Sequence, residues 1–449
     1  MRRLLFLAYH YPPVGGGGVQ RNRRFAQHLP RFGYEPVVVT GTGCKPGRWT
    51  PLDPTIADPS LADVEVHRVP GPEPTPSAGV ARQLAGLLDR HDEAQRWWLD
   101  GAVEVGRSVG ADCDAILASL VPYETAHAAI ALARELGKPW IADLQDPWAL
   151  DEMWLYPTRV HHAVDRRRMR RQLAGAAAIV MNTPEAAARL TRAFPELASR
   201  VVVSITNGFD AADFSGAAPA RRDDDDVFRI VHTGTMHTTN GLRLRRWRRL
   251  RRVLGGVTPD VDFLPRSHVF LLEALRRLAA SDPALVAGVE VQLAGVLTDA
   301  DREIAAGSPF PRLLGYRSHE ETIALIRSAD LLFLPMHDLA PGHRAGLTPG
   351  KAYEYIASGR PILGAVPDGD ARELLDRVGT ARLCRPADVE AMTGLLREAI
   401  SARRAGRPDP VARAEAVAPY ERRALTGALA GVLDEVLGGA AAPSRALAA

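Results

Sequence analysis

The densest chemistry in the chain lies in Thr348-Pro349-Gly350-Lys351-Ala352-Tyr353-Glu354. Proline is well tolerated at the first position of a helix, and a preceding threonine can cap the first turn. Lys351 and Glu354 are three residues apart, so they share one helix face. Such a helix start offers amides and an ammonium to an anion such as a diphosphate. One turn on, the carboxylate can accept hydrogen bonds from ribose hydroxyls. The plainer alternative is an intrahelical Lys351–Glu354 ion pair, with Tyr353 and Ile356 as core. Gly359 closes this helix, and a strand follows.

Three other groups carry chemistry. Gly15–Gly18 follow the first apolar run and precede a helical pattern, where glycines let backbone amides approach a phosphate or a sugar. Gly16 and Gly17 are the candidates there, with Arg21 just inside the helix; a flexible turn and a solvated arginine are the alternatives. No Lys-Ser/Thr follows, which excludes a P-loop, and the second strand ends in Thr40-Gly41 rather than an acid, which argues against a dinucleotide fingerprint. Asp143-Leu144-Gln145-Asp146-Pro147-Trp148 ends another strand; Asp146 is either a group that positions a substrate or a turn-forming Asp-Pro. His10 and His127 are candidates by residue type alone. No Asp-x-Asp metal motif stands at a strand end, and Asp223–Asp226, beside Arg221 and Arg222, read as a solvated charge run. Asp368-Gly369-Asp370 reads as a turn. No metal is expected.

These residues need elements to hold them. Short apolar runs at 4–9, 36–40, 64–69, 115–120, 140–144, 177–182 and 201–205 alternate with helical patterns at 19–32, 123–136 and 184–193. The pattern restarts with strands at 228–234, 289–295, 312–316, 330–335 and 360–366 and helices at 268–280, 319–328, 350–358 and 387–402. A last helix is expected at about 419–437. Such alternation means βαβ units with a parallel sheet covered on both faces. The polar stretch 210–226 has linker composition, so the expected fold class is α/β: two doubly wound Rossmann-like domains facing across a cleft. The expected bounds are 1–212 and 227–410, with 415–437 returning to the first domain and 438–449 a flexible tail. In such sheets ligands sit at the carboxyl ends of the strands.

Composition narrows the class. The 449 residues are 46% hydrophobic and 24% charged, as in a globular protein, and the net charge of +3 gives no polycation for nucleic acid. Only three of the 56 basic residues are lysines: Lys45, Lys138 and Lys351. Cys44, Cys113 and Cys384 are odd in number and far apart, which argues against a disulfide framework and for a reducing, cytoplasmic setting. Met1-Arg2-Arg3 before LLFLAY imitates a signal peptide, but the apolar run is short and His10-Tyr11-Pro12-Pro13 replaces a cleavage site, so it reads as a strand.

Taken in order, YHYPPVGGGGVQRNRRFAQHLPRFGYEPVVVT (9–40), IADLQDPWA (141–149), VVSITNGFDAADF (202–214), VHTGTMH (231–237), LLGYRSHEETIALIRSADLLFLP (313–335) and PGKAYEYIASGRPILG (349–364) make the chain resemble the retaining, nucleotide-sugar-dependent family-4 glycosyltransferases of GT-B fold. The resemblance implies transfer of a sugar from a nucleotide sugar, a UDP-sugar by preference, to an acceptor hydroxyl on a polysaccharide, lipid-linked or natural-product acceptor. It implies no cofactor beyond that co-substrate. Glu354 matches the second acid of the family's paired glutamates, which holds the donor ribose; Gly346 or Thr348 stands where the first acid is usual. Leu347, Thr348 and Pro349 match the loop that binds sugar and diphosphate, with Lys351 beside it. Gly234 and Thr235 match the strand end where a basic pair clamps the diphosphate; no lysine follows, so Arg243, Arg245 or Lys351 takes its place. Tyr316 and Arg317 match the loop facing the nucleobase. Asp146, Lys351 and Glu354 are the expected catalytic residues. A GT-B epimerase, a phosphorylase and a non-catalytic nucleotide-sugar-binding protein are the alternatives.

One segment falls outside the resemblance. LRLRRWRRLRRVL (242–254) carries seven arginines, and Leu244, Trp247, Leu250 and Leu254 recur at three or four. It reads as a solvated helix, as a peripheral contact with an anionic inner membrane face, or as an arm reaching donor phosphates. Arg166–Arg168 with Arg170 and Arg171 read as an exposed helix face.

Overall fold

The computed structural model describes residues 1–43, 53, 61–216, 227–254 and 261–438. Cys44, Lys45, Asp223–Asp226 and the tail from 439 lie outside the described residues. Two compact units form: Met1–Asn207 together with the chain from Arg422 onward, and Gly208–Glu421.

The first unit runs β1 (Arg2–Leu7), α1 (Gly17–His28), β2 (Tyr34–Thr40), β3 (Glu65–Arg68), α2 (Gly79–Leu87), α3 (Glu93–Val109), β4 (Ala115–Ser119), α4 (Thr125–Leu136), β5 (Trp140–Leu144), α5 (Arg159–Leu173), β6 (Ala178–Met181), α6 (Pro184–Ala193) and β7 (Val201–Ser204). The second unit runs β8 (Phe228–Thr233), α7 (Thr238–Leu254), α8 (Val269–Ser281), α9 (Pro283–Val286), β9 (Val289–Ala294), α10 (Asp299–Ala306), β10 (Pro311–Gly315), α11 (His319–Ser328), β11 (Leu331–Pro335), α12 (Gly350–Ala357), β12 (Ile362–Ala365), α13 (Asp370–Val378), β13 (Ala381–Cys384), α14 (Val389–Arg404) and α15 (Ala414–Val417). Helix α16 (Arg422–Val436) returns to the first unit.

Each unit is built on a parallel sheet, ordered β3-β2-β1-β4-β5-β6-β7 and β10-β9-β8-β11-β12-β13. Both orders reverse beside the unit's first strand, at β1/β4 and β8/β11. A strand covered on both faces is apolar throughout, which is why LLFL of β1 and the whole of β11 are buried. Alternate residues of β1 serve different cores. Leu5 and Leu7 pack with Trp98 and Leu132, while Leu4 and Phe6 pack with Phe25, Leu29, Leu425, Leu429 and Leu433. Thus α16 covers the face that α1 leaves open, and Tyr34 donates to Asp434 at 2.6 Å.

Four expectations are corrected. The segment after β7 is not linker as far as it is described: Asp213 meets His319 at 2.8 Å, and Arg327 donates to the carbonyls of Ser215 (3.3 Å) and Gly216 (2.9 Å), so 208–216 belong with the second unit. Asp368-Gly369-Asp370 is a helix start. Gly369, at φ +139°, occupies the cap position of α13, and a Cβ there would lie 2.6 Å from the Ala345 carbonyl oxygen. Thr348 is not the cap of α12; Pro349 holds that position and no side chain caps the helix. The Arg166–Arg171 cluster is likewise a clamp as much as a face. Arg168 and Arg171 both bind Asp89, at 2.6 and 2.5 Å, and Arg168 donates to the Gly86 carbonyl at 2.7 Å, which ties α5 to the end of α2. No helix among the described residues is long and apolar enough to cross a membrane.

Candidate functional site

In the second unit the switch point lies beside β8, where three glycines step along the sheet edge. Gly315, Gly295 and Gly234 follow or close β10, β9 and β8, and all have positive φ. Gly295 donates to the Gly315 carbonyl at 2.8 Å, and Gly234 to the Ala294 carbonyl at 2.7 Å. A Cβ on Gly295 would stand 2.4 Å from the Gly234 oxygen, and one on Gly234 2.9 Å from Lys351 Nζ. Gly295 admits no side chain because the backbone of Gly234 fills the space, and Gly234 favours glycine through its positive φ of +93°.

Lys351 reaches this edge from the first turn of α12. Its Nζ lies 3.2 Å from His232 Nε2, and His232 Nδ1 lies 3.0 Å from the Phe333 carbonyl oxygen. A carbonyl only accepts, so Nδ1 carries the proton and Nε2 takes a hydrogen bond from the lysine. Burial, then the neighbouring Lys351, hold His232 well below its ordinary pKa, so it is neutral. Burial first, and the positive charge of Arg266 second, bring Lys351 down to about 7, while Glu354 pulls the other way. Lys351 thus titrates near neutrality in the field of Arg266, with one carboxylate a turn away, an arrangement in which an arriving anion draws the proton back onto the lysine. Tyr355, on the same helix, accepts from the Thr233 amide at 2.9 Å and locks α12 to the end of β8.

The loop before α12 is equally fixed. Ala345 to Pro349 are buried, and the Ala345 amide donates to the Asp368 carbonyl at 2.7 Å. Leu347, Thr348 and Pro349 thus form a rigid approach to uncapped helix amides. Thr235 follows Gly234 half-buried. Tyr316 and Arg317 follow Gly315 on the same edge; Tyr316 is exposed, and Arg317 lies 3.5 Å from Glu321. Of the three candidate replacements for a basic pair, the structure brings Lys351 to Gly234. Arg245 instead binds Asp262 at 2.5 Å and covers the Phe270 ring, and Arg243 is exposed on α7. Arg266 and Gly295 are the residues that sequence reasoning missed. Arg266 has no motif, being placed by the donation of the His237 amide to its carbonyl at 2.9 Å. The glycine closing VEVQLAG was a legible signal for Gly295.

The first unit arranges similar parts differently. Gly16, at φ +96°, precedes α1 with no side-chain cap, and Gly17 begins the helix. Arg21 is buried: its Nε donates to both oxygens of Asp143 at 3.1 and 3.0 Å, its Nη2 to Oδ1 at 2.6 Å, and its Nη1 to the Thr206 carbonyl at 2.8 Å. The expected diphosphate contact is therefore corrected: this guanidinium is a strut between α1, β5 and the chain after β7. Gln145 fastens the glycine loop, donating to the Gly18 carbonyl (3.1 Å), Asn22 (3.2 Å) and Ser119 (3.0 Å). Asp146 is exposed at the end of β5. Two residues on, Trp148 takes φ +53°, a left-handed conformation rare for a bulky residue, and stacks flat on Tyr123 at 4.8 Å. His10 is pushed down to about 4 by burial, opposed by Glu73, and His127 is lowered chiefly by burial.

No protein-family model matches the chain, and no curated protein matches it in sequence. Solved structures do match. Anabaena HepE in complex with UDP and glucose superposes with a TM-score of 0.59 at 15% identity, over 97% of this chain and 100% of that one. Sucrose-phosphate synthase of Thermosynechococcus elongatus gives 0.60 at 14% identity, over 97% and 99%. The α,α-trehalose 6-phosphate synthase of Burkholderia multivorans gives 0.58 at 15% identity, over 98% and 100%. The fold is GT-B. At such identities the likeness carries the fold alone: two Rossmann-like domains, each with its own parallel sheet.

Proposed function

We propose that this GT-B protein is a retaining glycosyltransferase that moves a sugar from a nucleotide sugar to an acceptor hydroxyl. The observation that carries the reading is Lys351, half-buried with its Nζ against the Gly234 strand end, in the field of Arg266 and with Glu354 one turn on. A diphosphate seated there meets an ammonium, a guanidinium and the uncapped amides of α12, which stabilise the charge that grows as the sugar leaves. Glu354 is then placed for the ribose hydroxyls, and Tyr316 and Arg317, farther along the glycine edge, for the base. Anabaena HepE is seen with UDP, which favours a UDP-sugar. The first unit supplies the acceptor side, with Asp146 and the Gly16–Gly17 turn as its contacts.

The retaining course fits the residues at hand. In a front-face reaction the leaving phosphate takes the acceptor proton, and no dedicated base is needed. His10, pushed down to about 4 by burial, is neutral at neutral pH but too weak a base to hold the proton it would take. Cationic residues and helix amides do the work usually given to a metal in leaving-group stabilisation, so metal-independent transfer is part of the proposal.

The test is a thermal-shift and transfer panel over UDP-, GDP-, ADP- and dTDP-sugars with wild type, Lys351→Met and Glu354→Ala. Stabilisation by one nucleotide sugar that both substitutions abolish supports the reading. Undiminished transfer in either purified variant overturns it.

A further inference from the structure

Helix α7 changes character along its length. Its first half is bolted down: Thr238 donates to Asp301, Leu244 is 5% exposed, and Arg245 binds Asp262 at 2.5 Å. Gly241 lies so close to the next segment that a Cβ would stand 2.5 Å from Leu264 Cα. Its second half buries no apolar side chain among those described: Trp247 is 48% exposed, Leu250 52%, Val253 83% and Leu254 45%. Trp247, Leu250 and Leu254 recur at three and four and Val253 lies beside them, so the four form one outward stripe. In the same helix, seven arginines fall between Arg243 and Arg252, and its sequence holds no acid.

We propose that the outer half of α7 is a docking surface for an anionic lipid bilayer. The stripe enters the interfacial layer while the arginines beside it meet the headgroups. Charge complementarity selects the occupant. A basic face attracts any polyanion, but four exposed apolar side chains on one stripe gain nothing from phosphates in a nucleic-acid groove, and they gain burial in lipid. The tryptophan is suited to the interface, with an apolar ring and a polar N–H. The anchored first half fixes the angle at which the stripe is presented. The proposal stands on this surface alone and does not depend on the donor site.

The experiment is flotation of the full chain with vesicles of phosphatidylcholine alone or with about one third phosphatidylglycerol. Wild type is expected to float with the anionic vesicles, not with the neutral ones, and to be released at ~0.5 M salt in large part. Trp247→Ser/Leu250→Ser and Arg246→Gln/Arg248→Gln/Arg249→Gln are each expected to weaken flotation about tenfold or more. Arg276→Gln/Arg277→Gln on α8 is the charge control and is expected to float as wild type. These side chains are exposed, so unchanged melting temperatures verify the folds. No flotation of wild type overturns the proposal, as does equal loss in the control. So does equally tight binding to duplex DNA that ignores Trp247 and Leu250, or self-association through the stripe without flotation.

Discussion

The two glycine-lined switch points are built alike and differ in how their cation is partnered. After β1, Gly16 opens the turn into α1 and a cation follows on that helix; after β8, Gly234 opens the turn and a cation arrives from α12. Arg21 is met by a buried carboxylate in bidentate geometry, so its charge is spent inside the fold. Lys351 is met by a neutral histidine, by the field of Arg266 and by Glu354 a turn away, so no ion pair ties it down and its proton is free to return when an anion arrives. The same topology therefore yields a structural strut in one unit and, in the other, the cation to which the proposed diphosphate site is assigned. The decisive variable is the partner of the cation.

The comparison can be broken most severely at the strut. Arg21→Ala leaves Asp143 buried and uncompensated, and a loss of ~3–5 kcal/mol is expected. Chemical denaturation of the first unit measures it, and Arg21→Met/Asp143→Leu is expected to recover most of the loss. If Arg21→Ala is stable and only donor binding falls, the two points are alike after all. Lys351→Met is expected to reverse the pattern, with near-native stability and a fall of ~10²–10³ in turnover. Steady-state kinetics alongside a melting curve distinguish the two.

Gly234→Ala is next. A left-handed φ of +93° and a Cβ 2.9 Å from Lys351 Nζ are expected to cost ~1–3 kcal/mol and to weaken donor binding. Gly33→Ala, also at positive φ but with open space around it, is expected to cost stability alone. The smallest effect is that of pH. A bound diphosphate raises the pKa of Lys351 above its free value of about 7. The added affinity is therefore complete below that value and lost as pH rises through the higher value of the complex, by up to ~1.4 kcal/mol per pH unit. Calorimetry across that range checks it, and an affinity that is flat with pH would show that the lysine does not meet the diphosphate.

Much of the fold was legible because local signals agreed with the tertiary outcome. Helices 184–193 and 319–328 fall within their observed bounds to the residue; Thr183 caps the first, and Ser318 with Glu321 forms a capping box on the second. Asp92 and Gln95 form an equally legible box at α3, which the expected elements omitted. Where local signals misled, a distant contact decided. Asp368-Gly369-Asp370 has turn composition, yet the approach of Ala345 makes it a helix start. Thr348 has the chemistry of a cap, yet the buried loop places Pro349 there.

The sequence by itself determined the alternation of strands and helices, the two glycine turns and the placing of Lys351 and Glu354 on one helix face, because periodicity and spacing are local properties. It also determined the basic, striped character of 242–254. Only the tertiary structure decided which charges remain available. Arg21 meets Asp143 across 122 positions of sequence, and Lys351 meets His232 across 119. The worth of a buried charge depends on the group folded against it, and that group is chosen by the order of strands in the sheet.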